Sequence, residues 1–484
     1  MDREIPLAFP IVALVIRRRE PERTVVRDHS KARTTGVARI LLRIAAWTLR
    51  VAVLFLALNG FLYLTEGPVV QHVLGAGADG PPVSPDDPEF PGSVAVLTGT
   101  PLSKGNFVAL AQNGDETFPR LFGDLRSAKR SITIQSYYGA EGKVADTLRE
   151  ILLERAAAGV RVLFLYDVIG TEDISEDDRL ALRKSGVVVV PFRPLRPTTF
   201  HVMQNRSHVR SVVIDDRIGW TGGFGIDDKW LGDGVHGGAW RDTNVRFEGP
   251  AVEELRAAFA AAWTEATGVM PTGRGPGAKD GGNDAEPKDD GSDGGSKDGG
   301  GVAWAGLLHA SPNIGNTAAE RFLALSIAGA KRTLYFTNSY FAPEAHVVGL
   351  LVDAAKRGVD VRLLVGGTST DVRAARFAGR RSYEALLEAG VRIYEWESST
   401  LHAKSFVVDR AWSGVGTMNL DNRSLVLNDE VMLMVLDRSF GRSMESVFIA
   451  DLEHAQEVDE RRFAKRPWTD RVNEWWTALI SKFL

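Results

Sequence analysis

Four segments of this chain occur twice, in the same order, and that repetition limits what it can fold into more than any other feature. AKRSITIQSYY from Ala128 matches AKRTLYFTNSYF from Ala330, RAAAGVRVLFLYD from Arg155 matches DAAKRGVDVRLLVG from Asp353, and RKSGVVVVPF matches LEAGVRIYEW. The fourth match sets HVRSVVID at His208 against HAKSFVVD at His402. In each copy a β-branched or aromatic run alternates with an amphipathic stretch that ends near a glycine, the pattern of βαβ units. The expectation is a duplicated α/β domain: two mixed, largely parallel sheets flanked by helices and related by a pseudo-twofold.

Composition marks the boundaries. The copies occupy residues 102–270 and 302–460, separated by a Gly- and Asp-rich segment, 271–301, with almost nothing to bury and therefore read as a disordered linker. Residues 65–101 are rich in Gly and Pro and read as a spacer. Before them, residues 44–64 run IAAWTLRVAVLFLALNGFLYL, 21 residues with one charge, Arg50, which is long enough to span a bilayer. PLAFPIVALVI, from Pro6, is apolar too but too short to cross by itself. Residues 1–43 carry ten Lys or Arg, and beyond Arg50 the next Lys or Arg is Lys104. The positive-inside rule then predicts a single-pass anchor with a cytoplasmic N-terminus and both halves outside. Residues 461–484 place Trp468, Val472, Trp475, Leu479 and Phe483 at helical spacing with basic residues alongside. This tail is read as an amphipathic helix packing on the domain; the other reading is a helix lying in a membrane interface.

Bulk properties exclude some chemistry. There is no cysteine, so disulfides, thiolate metal sites and cysteine nucleophiles are ruled out. A net charge of -4 supplies no general attraction to nucleic acid, which is not expected as a partner. His201, His236 and His309 lack the paired spacing of metal ligands and are read as surface or core histidines. The glycine-rich turn at Gly222 is too weak a signal for a nucleotide loop.

In a strand, residues i and i+2 face the same way, so His208 projects with Arg210 and His402 with Lys404. A single strand-borne histidine is more often structural than catalytic. Two equivalent ones, brought face to face by the repeat, would supply a nucleophile and a general acid, with paired cations to stabilise an anion between them. A phosphodiester suits such a site, and neither a metal nor a cofactor is required.

The pattern HxKxxxxD, present twice, resembles the phospholipase D superfamily. The second copy fits it fully: His402, Lys404, Asp409 and, downstream, Gly416, Asn419 and Ser424. WRDTNVRFEGPAV from Trp240, YEWESSTLHAKSFVVD from Tyr394, GTMNLDNRSLVLNDEV from Gly416, SYFAP at Ser339 and the N-terminal anchor are similar to bacterial cardiolipin synthases of that superfamily. The resemblance implies a phosphatidyltransferase in a bacterial inner membrane, working on phospholipid, with phosphatidylglycerol as substrate and a phosphohistidine intermediate. A phospholipase D-type hydrolase and a weakened lipid-binding homologue remain as alternatives, and oligomeric state is open. It implies His208 as nucleophile, His402 as acid and base, and Arg210, Lys404 and Asn419 as phosphoryl ligands. Glu430 in the second half and Asp242 in the first are the candidates for orienting the imidazoles, while Asp215 and Asp409 complete the motifs by pinning the strand end. Two positions depart from the family pattern: Arg210 stands where it has Lys, and Gly225 where it has Asn.

Overall fold

In the computed structural model the two motif strands, Ser211–Ile214 and Lys404–Val408, turn back at once into Ile218–Gly222 and Trp412–Gly416. The turns are tight because Asp215 and Asp216 in one, and Asp409 and Arg410 in the other, hold φ between 51° and 56°, a region Asp tolerates better than most residues. The structure describes residues 29–65, 83–171, 174–196, 204–271, 302–312 and 316–478.

These hairpins build the middle of one 15-stranded sheet. Across it the order is Ala455–Glu457, Arg392–Trp396, Asp360–Gly366, Thr333–Asn338, Lys404–Val408, Trp412–Gly416, Glu430–Leu436 and Val302–Ala310, then Ser103–Gln112, Thr243–Glu248, Ile218–Gly222, Ser211–Ile214, Ser131–Ser136, Arg161–Asp167 and Val188–Phe192. Apart from the edge strand Ala455–Glu457, each half contributes its strands in the same order from outside to centre. The halves meet antiparallel, with Phe107 opposite Val302.

The expectation of two mixed, largely parallel sheets holds for their mixed character and is corrected in number and in dominant pairing. Parallel pairing is confined to two outer arms, Ser131–Ser136 with Arg161–Asp167 and Val188–Phe192, and Thr333–Asn338 with Asp360–Gly366 and Arg392–Trp396. Those arms are where crossover helices such as Lys143–Ala157 and Ala345–Lys356 separate the strands, as parallel pairing requires. Every other neighbouring pair in the large sheet is antiparallel, because short turns join the central strands and the join between halves extends the same sheet.

The spacer is corrected as well. Helix Phe90–Thr98 lies within it, and Phe90 and Val94 are fully buried against the second half, Phe90 edge-on to Trp412 at 5.1 Å. Residues 66–82 of the spacer, residues 272–301 of the linker, residues 1–28, His201 and residues 479–484 lie outside the described residues. The apolar N-terminal segment is a unit of its own, a helix His29–Thr65 whose most apolar stretch is Arg39–Leu58. Its large apolar side chains, from Ile40 to Phe61, are exposed rather than buried in a protein core. Helix Trp468–Ala478 also departs from expectation: its tryptophans face outward.

The motif aspartates fix where each hairpin sits. Asp409, almost fully buried, accepts backbone hydrogen bonds from Lys331 (2.8 Å), Arg332 (2.7 Å) and Thr333 (2.8 Å). Asp215 accepts the equivalent bonds from Lys129, Arg130 and Ser131 at 2.7–2.9 Å. Each lies at the end of its strand remote from the histidine, tying the hairpin to the start of the neighbouring strand. Asp409→Ala would leave three amides without their acceptor, so the fold should lose about 2–4 kcal/mol, read as a lower thermal midpoint; an unchanged midpoint would contradict this role.

Candidate active site

His208 and His402 sit just before their strands, on extended segments that run into the boundary between halves. Each segment is zipped to the other half. Ser207 bridges Asp429 in parallel, with the His208 amide donating to the Asp429 carbonyl at 3.0 Å and the Asp429 amide to the Arg206 carbonyl at 2.9 Å. Leu401 bridges Arg241 in the same way, with the His402 amide donating to the Arg241 carbonyl at 2.7 Å and the Arg241 amide to the Thr400 carbonyl at 2.9 Å. Asp429 precedes Glu430 and Arg241 precedes Asp242, so the zips carry each carboxylate to the opposite histidine.

The side chains complete the exchange. His208 Nδ1 lies 2.9 and 3.0 Å from the two oxygens of Glu430, and His402 Nδ1 lies 3.3 Å from Asp242 Oδ2. Each imidazole is therefore paired with the carboxylate of the other half. A carboxylate on Nδ1 selects the tautomer that carries its proton there and leaves Nε2 with a lone pair.

Both carboxylates are held in place by their own half. Glu430 accepts from Thr417 Oγ1 (2.5 Å) and Ser424 Oγ (2.7 Å). Asp242 accepts from Trp230 Nε1 (2.7 Å) and the Thr243 amide (2.8 Å). Trp230 takes the position of Ser424, and Gly223 that of Thr417. Glycine is required at 223, since a Cβ there would stand 2.4 Å from Asp242 Oδ1 and 2.7 Å from the His402 carbonyl.

The cations flank the histidines unequally. Lys404 Nζ donates to Ser339 Oγ at 2.9 Å and to the His402 carbonyl, and Ser339 donates on to Asn419 Oδ1 at 2.8 Å. Arg210 Nη1 donates to the His208 carbonyl at 3.1 Å. The residue matching Ser339 is Tyr137, whose ring lies 5.7 Å from the Arg210 guanidinium carbon and edge-on to His208 at 5.0 Å. Arg210 Nε is buried and makes no hydrogen bond among the described residues. At Gly225 the reason for the missing Asn is steric: a Cβ would meet the Trp230 indole at 2.7 Å. The indole that serves Asp242 fills the space an Asn would occupy.

Burial sets the ionisation of the whole group. It holds both imidazoles well below their ordinary pKa, with the nearby cations adding to the effect, so both are neutral near pH 7. Burial lifts Glu430 to about 7 and Asp242 to about 6. It lowers Lys404 to about 7, helped by the charge of Arg210. An anion arriving between the cations would restore the charge on Lys404 and satisfy the Arg210 donor.

Six sequence-predicted residues thus meet in one place: His208, Arg210, Glu430, His402, Lys404 and Asp242. Asn419 joins through Ser339, and Asp215 and Asp409 do not reach the site. Sequence reasoning missed Tyr137, Trp230, Trp240 and Thr417. Trp230 and Trp240 each stand with ring centroids 5.1 Å from His402. The match between ITIQSYY and LYFTNSYF signalled Tyr137 opposite Ser339, since a ring facing a hydroxyl at equivalent positions marks two differently built pockets. His236 is exposed and pairs with Asp233 Oδ2 at 2.7 Å, apart from this group.

A family model described as "Cardiolipin synthase, PLD-like domain" matches residues 323–452. The cardiolipin synthase of Geobacillus kaustophilus is 33% identical over 79% of this chain and 74% of its own. That of Halalkalibacterium halodurans is 32% identical over 80% and 74%. Among solved structures, the phosphatidylserine synthase of Haemophilus influenzae shares the fold at a TM-score of 0.56 and 15% identity, covering 82% of this chain and 100% of that one. The chain belongs to the cardiolipin synthase family of phospholipase D-like proteins.

Proposed function

We propose that the chain is a membrane-anchored phosphatidyltransferase that makes cardiolipin from two phosphatidylglycerol molecules. The observation that carries this is the crossed pair of buried, neutral imidazoles between two cations, one with an unsatisfied donor. Phosphatidylglycerol binds with its phosphate between Arg210 and Lys404. His208 Nε2 attacks phosphorus, the bond from phosphorus to the glycerol oxygen breaks, and His402, carrying a proton on Nε2 as an imidazolium, gives that proton to the departing alkoxide. Glycerol leaves and a phosphatidyl group remains on His208. His402, now neutral, takes the proton from a hydroxyl of a second phosphatidylglycerol, whose oxygen attacks phosphorus and releases His208. The proton on His402 is thereby restored for the next cycle.

The imidazolium of His402, disfavoured first by burial and then by the two cations, is formed only with anionic substrate in place, when the phosphate charge offsets both. Glu430 keeps the His208 proton on Nδ1, so that Nε2 is free to attack. Asp242 does the same for His402 and stabilises its cationic form. Protonating either carboxylate would allow the wrong tautomer, so turnover falls as the pH is lowered through the range from about 7 to about 6 at which Glu430 and Asp242 take up protons.

The basic flank before the apolar helix, with no Lys or Arg between Arg50 and Lys104, favours a cytoplasmic N-terminus and a reaction on the outer side of a bacterial inner membrane. Expressed in a cardiolipin-deficient bacterium, the chain should produce cardiolipin, and His208→Ala and His402→Ala should each remove it without loss of folded protein. Phosphatidic acid without cardiolipin would identify a hydrolase, and full activity in both variants would end the two-histidine mechanism. In the same cells, protease added to spheroplasts should cut the Gly- and Asp-rich linker; complete protection would reverse the orientation.

The two phosphate pockets are differently furnished, and Arg210 belongs with Tyr137 as Lys404 does with Ser339. Arg210→Lys should lower the turnover number, because the shorter ammonium finds a ring where its counterpart finds a hydroxyl. Adding Tyr137→Ser should recover part of the loss, a coupling of about 1–2 kcal/mol, or about 5- to 30-fold in rate. A rate gain from Arg210→Lys alone would instead mark the first half as impaired.

A further inference from the structure

Helix Trp468–Ala478 is docked the wrong way round for a soluble protein. The side it buries is polar: Glu474, 3% exposed, accepts from Arg466 Nε at 2.9 Å and Nη2 at 2.8 Å and lies 3.4 Å from Arg380 Nε. Asp470, on the same side, stands 3.9 Å from Arg380 Nη2. Arg466 also covers Phe463, whose ring packs on Tyr383 in the core. The opposite side is apolar and open. Trp468 is 74% exposed, Trp475 59% and Trp476 64%, with Val472 exposed among them. At 3.6 residues per turn these four share one stripe roughly 100° wide, and Trp475 and Trp476 stack at 5.7 Å.

Soluble surfaces carry isolated apolar residues, but a continuous stripe of three tryptophans and a valine marks a surface with a partner. The charge around it says which. Between Glu460 and Val472 there are five Arg or Lys against two Asp or Glu, in a chain of net charge -4. Arg471 on the helix, and Arg461, Arg462 and Lys465 in the segment that leads into it, are exposed. Tryptophan is favoured at headgroup depth in a bilayer, and cations beside it are drawn to anionic lipid.

We propose that this helix is a docking surface for an anionic phospholipid bilayer, with the tryptophan stripe at headgroup depth and the basic residues on lipid phosphates. A second contact with the membrane, besides the apolar N-terminal helix, holds the folded unit against the surface from which it draws lipid. Only this last consequence rests on the proposed reaction; the docking itself does not.

The chain has no cysteine, so a single fluorophore can be placed at will. Full-length Trp475→Cys, labelled with an environment-sensitive dye and reconstituted in phosphatidylglycerol vesicles, should emit to the blue of the same dye at Ser443→Cys, an exposed site on helix Arg438–Asp451. Lipids carrying a quencher near the headgroup should dim the dye at 475 at least severalfold more than the dye at 443, and phosphatidylcholine vesicles should weaken the effect. Equal quenching at both sites would overturn the proposal. So would a blue shift without lipid quenching, which would show a second protein copy covering the stripe. Repeating the reading in His402→Ala separates the two ideas: lipid contact without turnover leaves docking intact whatever reaction the enzyme performs. Trp468→Ser/Trp475→Ser/Trp476→Ser should raise KM for vesicle substrate severalfold while leaving turnover in detergent micelles and the thermal midpoint unchanged, because the helix is held by its polar side.

Discussion

Everything at the centre of this protein depends on pairing each buried histidine with a carboxylate from the other half. Two imidazoles, two cations and two carboxylates are buried together, and none of them could be taken from water alone without a large penalty. The pairs His208–Glu430 and His402–Asp242 make that burial tolerable. They also bind the halves together: neither half contains a complete site, and neither can orient its own histidine. The single continuous sheet follows the same logic. The join at Ser103–Gln112 and Val302–Ala310 carries the sheet from one half into the other, and the backbone zips at Ser207–Asp429 and Arg241–Leu401 fix the register of the exchange.

The repeat is symmetric in its backbone and asymmetric in its chemistry. One cation is a lysine held by Ser339 and, through it, Asn419; the other is an arginine beside Tyr137. One carboxylate is fixed by two hydroxyls, the other by an indole and an amide. In the first half the glycine at 225 is tied to Trp230, which both serves Asp242 and closes the space there.

Much of this could be read in the sequence, and what could not has identifiable causes. The motifs His208–Asp215 and His402–Asp409 announced the site because an imidazole and a cation at i and i+2 on an apolar strand are conspicuous and occurred twice. The crossing was hidden, because spacing within a half says nothing about which half supplies a partner. The antiparallel centre was missed because its tight turns use Asp-Asp and Asp-Arg rather than Asn-Gly or Asp-Gly. The segment before Leu102 looked like a spacer because Gly and Pro dominate it, yet Phe90 and Val94 suffice to bury a short helix. In the C-terminal helix periodicity defined an apolar face but not which way it points, and the buried Glu474–Arg466 pair decides that.

The crossed pairing is tested most directly by the tautomeric state of each imidazole. With nine histidines in the chain, nitrogen-15 labelling of histidine, with signals assigned through His208→Ala and His402→Ala, gives the protonation of Nδ1 and Nε2 at each site. Glu430→Gln should shift the ring signals of His208 and leave those of His402 in place, and Asp242→Asn should do the reverse. If each carboxylate instead moved the histidine of its own half, the two halves would be separate sites and the shared centre described above would be wrong.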